Sequence, residues 1–521
     1  MIPNMKYILA LIILFPLYLQ KTAAKENNTP KPDTPQQVED LLLKAINKTT
    51  PSIVAVKVGR SNASGVIISA DGEILTAAHV ATNFKNGKTQ ITFPDGTIHQ
   101  AKLLGMAHKP DIALLKIIEA EGKTFPYSPT IPKVPQQGTY CFAYSHPGGL
   151  KKNRSAQVRL GRIKARQKDT HGINLIITDS NIQPGDSGGG LFDLSGRLLG
   201  LTSTAGDINT NRFSSIEVFH RLAPQLRAGK TIGKAPPRSK EPGKHISINK
   251  KTLELGRKEL MKRIADKHHP TLIAIRRQSG KNHKISITNN LVAQTMGADI
   301  MTLQKTGEIS YGMDDPALLT KLPPLPKDAA KRLLLVSGNK KLGYGLPISK
   351  NEILTKWSHL PTPKEGTTGI QVRQNQQNIP VKVIAKDTQL DLVILQCNPK
   401  SAFNPIRQPQ NPSPITAGTV IMARDQYLIK NWGIACSSAG PIQKERYPGA
   451  MMHVSKISQH TGPYKSVIRH TLPIFDKDAC APIFNLKGEL VAIHIARASR
   501  AYGLALPIGA IKDITARIKA K

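Results

Sequence analysis

Cysteine is scarce in this chain of 521 residues, which contains 4 cysteines. Four unevenly spaced cysteines are too few for a disulfide framework, and neither they nor the histidines show the spacing of a zinc site. The sequence therefore predicts no metal and no other cofactor. Of the cysteines, Cys141 lies in a strand-like apolar run and is expected to be a small buried side chain. The other three are Cys397, Cys436 and Cys480.

Acidic residues are also few. The 35 Asp and Glu residues are outnumbered by 73 Lys and Arg residues, which gives a formal net charge of +38 at pH 7. Such an excess favours contact with anionic lipids, polysaccharides, acidic proteins or nucleic acid. Because no nucleic-acid motif occurs, we treat the charge as a surface property. Anionic envelope surfaces are candidate partners, and binding to them would weaken with added salt.

A long apolar run occurs near the amino terminus, where Tyr7–Leu19 follows Lys6 and precedes Thr22–Ala24. A basic start, a short apolar core and small residues at the end are typical of a signal peptide. The run is shorter than the roughly 20 apolar residues that span a bilayer, which disfavours an uncleaved anchor. We therefore expect a signal peptide over residues 1–24, a mobile leader over 25–37, and export to the periplasm or the extracellular space.

A glycine-rich stretch, Asn181–Gly190, lies between two apolar runs and is predicted to be a tight turn between strands. Glycine permits positive φ and a close approach of backbone to a ligand. A serine in such a turn, Ser187, can expose its hydroxyl beside backbone N–H groups, the arrangement that acyl transfer needs. By itself the pattern fits a structural loop equally well.

Two possible partners for Ser187 precede it. His79 follows a short apolar strand, and Asp111 opens another. Each alone is explained as a polar strand end or a turn residue. The order His, Asp, Ser is that of chymotrypsin-type enzymes, and the three together favour catalysis.

Residues 38–229 resemble a trypsin-like serine protease domain of the HtrA (DegP) type. The resemblance implies that His79 is the general base, that Asp111 orients it, and that Ser187 is the nucleophile. It also implies an oxyanion hole formed by the N–H groups of Gly185 and Ser187. The matching segments are Ser64–Ser69, Ile74–Val80, Phe93–Gly96, Asp111–Lys116, Thr178–Asp179 and Gly185–Gly189.

The same resemblance predicts a substrate pocket. Asn181, six residues before the nucleophile, is expected at the pocket floor, with Thr202 and Ser203 in the wall. Because a buried cation would lack a counter-charge there, we expect small or medium uncharged side chains before the scissile bond. HtrA relatives usually carry Asn at the position of Asp186, and no freed Ile-Val terminus precedes the domain. In activated trypsins such a terminus pairs with the Asp at this position, so the sequence leaves the partner of Asp186 undetermined.

Residues 230–256 are a basic linker rich in Pro and Gly, at the point where HtrA proteins would continue into a PDZ domain. Beyond this linker, segments of the first half recur in degenerate form. Ala479 stands at the nucleophile position, and Ser358 or, with a one-residue shift, His359 at the base position. Cys480 falls one residue late and is interpreted as a core or disulfide cysteine. Residues 257–521 are therefore predicted to be a pseudoprotease domain that starts between 257 and 335. The repeated segments are Pro270–Ile275, Gly345–Ser349, Glu352–Thr355, Asp391–Leu395, Asp478–Gly488 and Tyr502–Ile508.

The predicted fold class is mainly β, with two trypsin-like double β-barrel domains in tandem, the second degenerate. Two functions stay open. The first is an exported serine endopeptidase that cleaves proteins or peptides through an acyl-enzyme. The second is a non-catalytic basic binding protein built on protease folds. An oligomer is compatible with either, although residues 25–37 contain no aromatic cluster of the kind that forms trimers.

Overall fold

Helix α1, Pro35–Thr49, is the first helix in the described part of the chain. Thr34 caps it by accepting a hydrogen bond from the N–H of Gln37 at 3.2 Å, and Pro35 suits the first helical position. The predicted amphipathic helix Val38–Ile46 lies within it, and residues 35–37 of the predicted leader form its first turn. The computed structural model describes residues 29–118, 121–150, 155–168, 174–204, 211–235, 318, 320–325, 333–337, 340–360, 369–374, 377–398, 403, 411, 413–424, 430–442, 464–472, 479–497 and 501–520.

Several sequence predictions fall elsewhere in the chain. The signal peptide, the linker beyond residue 235 and the start of the second domain up to residue 317 lie outside the described residues. Within the described ranges, no helix combines the length and the apolar character needed to cross a membrane.

The first half contains two closed six-stranded barrels. In the first, pairing between the fifth and sixth strands closes the ring; its strands are β1 (Ile53–Val58), β2 (Ser61–Ile67), β3 (Glu73–Thr76), β4 (Lys88–Thr92), β5 (Ile98–Ala107) and β6 (Ile112–Ile117). The second follows the order β10-β11-β12-β9-β8-β7; its strands are β7 (Tyr140–Ser145), β8 (Gln157–Lys168), β9 (Asn174–Thr178), β10 (Gly190–Asp193), β11 (Leu198–Thr204) and β12 (Asn211–Ser215).

Short helices complete this half. Helix α2, Ala78–Ala81, follows β3 directly. Helix α3, Ile216–Arg227, begins where Ser215 accepts a hydrogen bond from the N–H of Glu217 at 3.3 Å. Strand β13, Thr231–Ile232, then pairs in parallel with β5.

The second half repeats this architecture. A third closed barrel contains β14 (Leu333–Ser337), β15 (Lys340–Pro347), β16 (Glu352–Lys356), β17 (Ile370–Gln374), β18 (Gln377–Asp387) and β19 (Leu392–Cys397). A seven-stranded sheet follows, with the order β21-β20-β24-β25-β26-β23-β22; its strands are β20 (Val420–Arg424), β21 (Lys430–Ile434), β22 (Gly440–Ile442), β23 (Tyr464–His470), β24 (Pro482–Asn485), β25 (Leu490–Arg497) and β26 (Gly503–Pro507). Helix α4, Ile508–Lys519, directly follows β26 as α3 directly follows β12. The predicted tandem of two trypsin-like β domains is confirmed.

The two halves share one apolar core. Its buried side chains include Leu42 from α1, Phe192 from the second barrel and Trp432 and Phe484 from the second half. Hydrogen bonds also cross between the halves: the N–H of Val420 donates to Glu39 Oε2 at 2.5 Å. Burial raises the pKa of Glu39 more than that bond lowers it. The halves are therefore packed against each other through α1 and its neighbours.

Candidate active site

Antiparallel pairing of β3 with β6 sets the distance between His79 and Asp111. Thr76 at the end of β3 is opposite Ala113 near the start of β6. His79 in α2 and Asp111 just before β6 therefore lie at the same end of the first barrel. Asp111 has a φ of +56°, a left-handed conformation that non-glycine residues adopt only rarely.

The two side chains are in direct contact. His79 Nδ1 lies 3.0 and 2.9 Å from the two carboxylate oxygens of Asp111, and the N–H of His79 donates to Oδ1 at 3.0 Å. With Nδ1 donating to the carboxylate, Nε2 carries the free lone pair, which is the tautomer a general base requires. The hydrogen bond to Asp111 raises the pKa of His79 above its ordinary value of 6.5, although partial burial opposes the shift.

Asp111 has a further partner that the sequence analysis missed in this role. Ser203 Oγ donates to Asp111 Oδ2 at 2.6 Å. The hydroxyl that was predicted to line the substrate pocket therefore holds the carboxylate in place. The only signal in the sequence is a run of hydroxyl residues at the end of the apolar strand β11, and it does not indicate which hydroxyl faces Asp111.

The turn that carries Ser187 is tied to both barrels. Gly188 N–H donates to the Thr202 carbonyl and Thr202 N–H donates to the Gly189 carbonyl, each at 2.8 Å. The N–H of Ser64 in β2 donates to the Ser187 carbonyl at 2.9 Å. These bonds anchor a half-buried Ser187 at the junction of the two barrels.

Gly188 shows how closely the turn approaches the histidine. Its φ is +78°, and a Cβ there would lie 2.2 Å from Thr76 Oγ1 and 2.9 Å from the N–H nitrogen of Ala77. Only glycine fits this contact. The Ser187 turn therefore packs against the end of β3, two to three residues before His79.

Two backbone donors next to Ser187 are unused. Among the described residues, the N–H groups of Gly185 and Ser187 make no hydrogen bond. Gly185 has a φ of +93°, and a Cβ there would lie 2.6 Å from the nitrogen of Gly148. Free, fixed N–H groups beside a serine hydroxyl are what an oxyanion hole requires.

The predicted pocket residues occupy different environments. Asn181 is half-buried, and its Oδ1 accepts a hydrogen bond from Asn211 Nδ2 at 3.3 Å. Thr202 is buried, and its hydroxyl has no hydrogen-bond partner in the described part of the chain. Asn211, which orients Asn181, was not singled out in the sequence because it stands 30 residues away on β12.

The second half reproduces this frame with other side chains. Asp391 has a φ of +54°, and Ser358 donates to it from its N–H at 2.7 Å and from Oγ at 2.8 Å. These are the positions from which His79 N–H and Nδ1 contact Asp111. Ser358, not His359, therefore stands at the base position. Lys356 adds a buried ion pair, with Nζ 2.8 Å from Asp391 Oδ2.

The nucleophile position is equally clear. Cys480 N–H donates to the His494 carbonyl at 2.7 Å, and His494 N–H donates to the Ala481 carbonyl at 3.0 Å, which repeats the pairing of Gly188 and Gly189 with Thr202. Cys480 thus matches Gly188, even in its positive φ of +65°, and Ala479 matches Ser187. All four cysteines are buried, and none of them forms a disulfide. Burial raises the pKa of Cys480 to about 12, so its thiol stays protonated.

Residues 63–201 match the family model of the trypsin-like peptidase domain. This part of the chain, with His79, Asp111 and Ser187 inside it, is a trypsin-like peptidase domain. Within that class this part of the chain is similar to the HtrA/DegP serine proteases. One relative, described as a periplasmic DegP-like serine endoprotease of Chlamydia trachomatis, is 33% identical over 144 residues, which cover 27% of this chain and 27% of the relative.

Other similar proteins are also described as serine proteases. The serine protease HTRA1 of Xenopus laevis is 28% identical over 190 residues, covering 33% of this chain and 40% of the relative. The crystal structure of a serine endoprotease from Yersinia pestis is 26% identical in sequence. The match covers 38% of this chain and 68% of the Yersinia chain, with a TM-score of 0.32. The chain thus spans about a quarter to two fifths of the length of these curated relatives.

Proposed function

We propose that this chain is an exported serine endopeptidase that cleaves proteins or peptides through an acyl-enzyme, with its catalytic site in the first half. The observation that carries the proposal is the His79–Asp111 pair beside a Ser187 turn that packs against the same strand end. Homology to HtrA/DegP serine proteases supports the class of reaction. The periplasmic description of the chlamydial relative and the signal-peptide pattern support export.

Each residue has a defined task in this mechanism. Ser187 Oγ attacks the scissile carbonyl carbon while His79 Nε2 accepts its proton. The oxygen of the tetrahedral intermediate is held by the N–H groups of Gly185 and Ser187. His79 then protonates the leaving amine as the C–N bond breaks, which leaves an ester on Ser187. A water molecule then gives a proton to His79 and attacks the ester carbonyl, and His79 returns that proton to Ser187 Oγ as the acyl–oxygen bond breaks and the acid product leaves.

Asp111 stabilises the imidazolium form of His79. Its hydrogen bonds to His79 N–H and Ser203 Oγ keep the carboxylate oriented while the proton moves. Asn181 and Thr202 are proposed to line the pocket that receives the side chain before the scissile bond. The second half is proposed to be non-catalytic, because Ala479 carries no hydroxyl and Ser358 replaces the base.

Labelling with a fluorophosphonate probe and hydrolysis of a protein substrate test this function on the full-length mature chain. We expect one labelled peptide, which contains Ser187, and Ser187→Ala should abolish labelling and lower kcat by about 10⁶-fold. Ser195→Ala is a matched control in the turn after β10, where the bonds of Ser195 run through its backbone. An unlabelled, inactive wild type would contradict the proposal and favour the binding-protein alternative.

A further inference from the structure

Asp186, the residue before the proposed nucleophile, has a buried cation as its partner. Arg159 Nη1 lies 2.8 Å from Asp186 Oδ2, and the two side chains are 0% and 1% exposed. Arg159 belongs to β8, in the same barrel as the Ser187 turn. The guanidinium is itself held by Gln157 Oε1, which accepts from Nη2 at 2.8 Å. The position that HtrA relatives fill with a neutral Asn is thus occupied here by an internal ion pair.

The carboxylate of Asp186 is fixed from several directions. Ser145 Oγ donates to Oδ1 at 2.6 Å, and the N–H of Gln183 donates to Oδ2 at 2.7 Å. The N–H of Asp186 in turn donates to the Gln183 carbonyl at 3.1 Å. These bonds leave Asp186 a single orientation within the turn.

That orientation fixes one of the two unused backbone donors relative to the other. The N–H of Ser187 lies in the peptide plane that follows Asp186, so a rotation of the Asp186 backbone turns this donor relative to the N–H of Gly185. A buried carboxylate without a cation is strongly unfavourable, and the turn would rearrange to bring it toward water. The ion pair therefore favours one conformation of the turn and, with it, one position of the Ser187 N–H relative to the Gly185 N–H.

We propose that Arg159 is a positioning residue that holds the oxyanion hole open in the intact chain, in place of the freed amino terminus that serves trypsins. This inference rests on the proposed function and adds its regulation: the site is assembled on folding, without an activating cleavage. Arg159 contacts neither the substrate nor the reacting atoms.

The second half helps to seal this ion pair. The N–H of Val158, next to Arg159 in β8, donates to the carbonyl of Cys436 at 2.8 Å. Cys436 is fully buried, and its pKa rises to about 12 through burial, although Arg159 and Arg469 act in the opposite direction. Exclusion of water at this contact strengthens the attraction between Arg159 and Asp186.

Steady-state kinetics of full-length variants test the proposal. Arg159→Met should lower kcat about 100-fold, the effect of losing an oxyanion donor, while KM stays within about threefold. Arg159→Met combined with Asp186→Asn should recover at least about tenfold in kcat, because the amide needs no cation. Arg197→Met is the matched control, since Arg197 pairs with buried Asp193 at 2.7 Å in the same barrel, and Asp193 ends β10 while the Ser187 turn precedes it.

The outcomes separate this proposal from the proposed function. A wild type without Ser187-dependent turnover overturns both. A wild type that turns over while Arg159→Met retains its kcat per folded molecule overturns the positioning role alone, as does equal loss in Arg197→Met. A double variant no more active than Arg159→Met also overturns it, because the defect would then not lie in the unpaired carboxylate. Activity of the mature chain that appears only after a further cleavage, beyond removal of the signal peptide, overturns the claim of assembly on folding.

Discussion

Lys356→Met should destabilise the second half of the protein without affecting catalysis. Lys356 Nζ and Asp391 Oδ2 are 2.8 Å apart, and their side chains are 1% and 2% exposed. Removing the lysine leaves a buried carboxylate without a counter-charge. Breaking a buried ion pair by deleting one partner typically costs about 3–5 kcal/mol.

The structure places the expected cost at the lower end of that range. After the substitution, Asp391 still accepts hydrogen bonds from the N–H and the hydroxyl of Ser358, at 2.7 and 2.8 Å. Hydrogen bonds to a charged group are worth about 1.5–3 kcal/mol each, so the carboxylate is not left bare. We expect a loss of about 3 kcal/mol in the free energy of unfolding. At a slope of about 3 kcal/mol per M, the urea midpoint should fall by about 1 M.

Tryptophan fluorescence measures this loss selectively. The chain has 2 tryptophans, Trp357 and Trp432, and both lie in the second half. Their signal during urea unfolding therefore reports on that half, while peptide hydrolysis without urea should stay within about twofold of wild type. Lys356→Met combined with Asp391→Asn should regain much of the lost stability. A midpoint for Lys356→Met within 0.2 M of wild type, roughly 0.6 kcal/mol at that slope, would refute the reasoning about the buried pair.

Two further predictions concern the proposed catalytic site. Asp111 raises the pKa of His79, and only the neutral imidazole accepts a proton, so kcat/KM should rise with pH through a transition above 6.5. Asp111→Asn should move this transition to lower pH, and a wild-type transition below 6.5 in the pH–rate profile would contradict the prediction. Cys480→Ser and His359→Ala should each leave kcat/KM within about threefold of wild type, and a thiol reagent should leave the native protein unmodified. A tenfold loss of kcat/KM with the fold retained would mean that the second half takes part in catalysis.

Local motifs were enough to predict the fold class and the contact between His79 and Asp111. Short apolar strands that end in small residues constrain a trypsin-like barrel strongly, and the same strings recur in the second half. The sequence could not decide between Ser358 and His359, because adjacent residues in a short turn have the same neighbours in the sequence. Strand register decides it: Thr355 is opposite Val393 as Thr76 is opposite Ala113.

Long-range partners were beyond the reach of sequence reasoning. Arg159 stands 27 positions before Asp186, and the chain carries many other cations that could have served equally well. Which of them is buried depends on the register of β8 against β7, where Arg159 is opposite Ala143. Ser203 likewise lies 92 residues from Asp111. Such pairings arise from tertiary packing, which no local pattern encodes.

The bond between Val158 and Cys436 has a practical consequence for producing the protein in pieces. A fragment that ends after residue 229 would leave the Val158 N–H at an uncovered strand edge. It would also expose the α1 side chains that surround Gly418; they pack so closely that a Cβ on Gly418 would lie 2.6 Å from Ile46 Cδ1. Uncovered edges and apolar patches promote aggregation. Expression of the isolated first half should therefore yield insoluble material, and co-expression of the two halves as separate polypeptides is the better strategy for dissecting them.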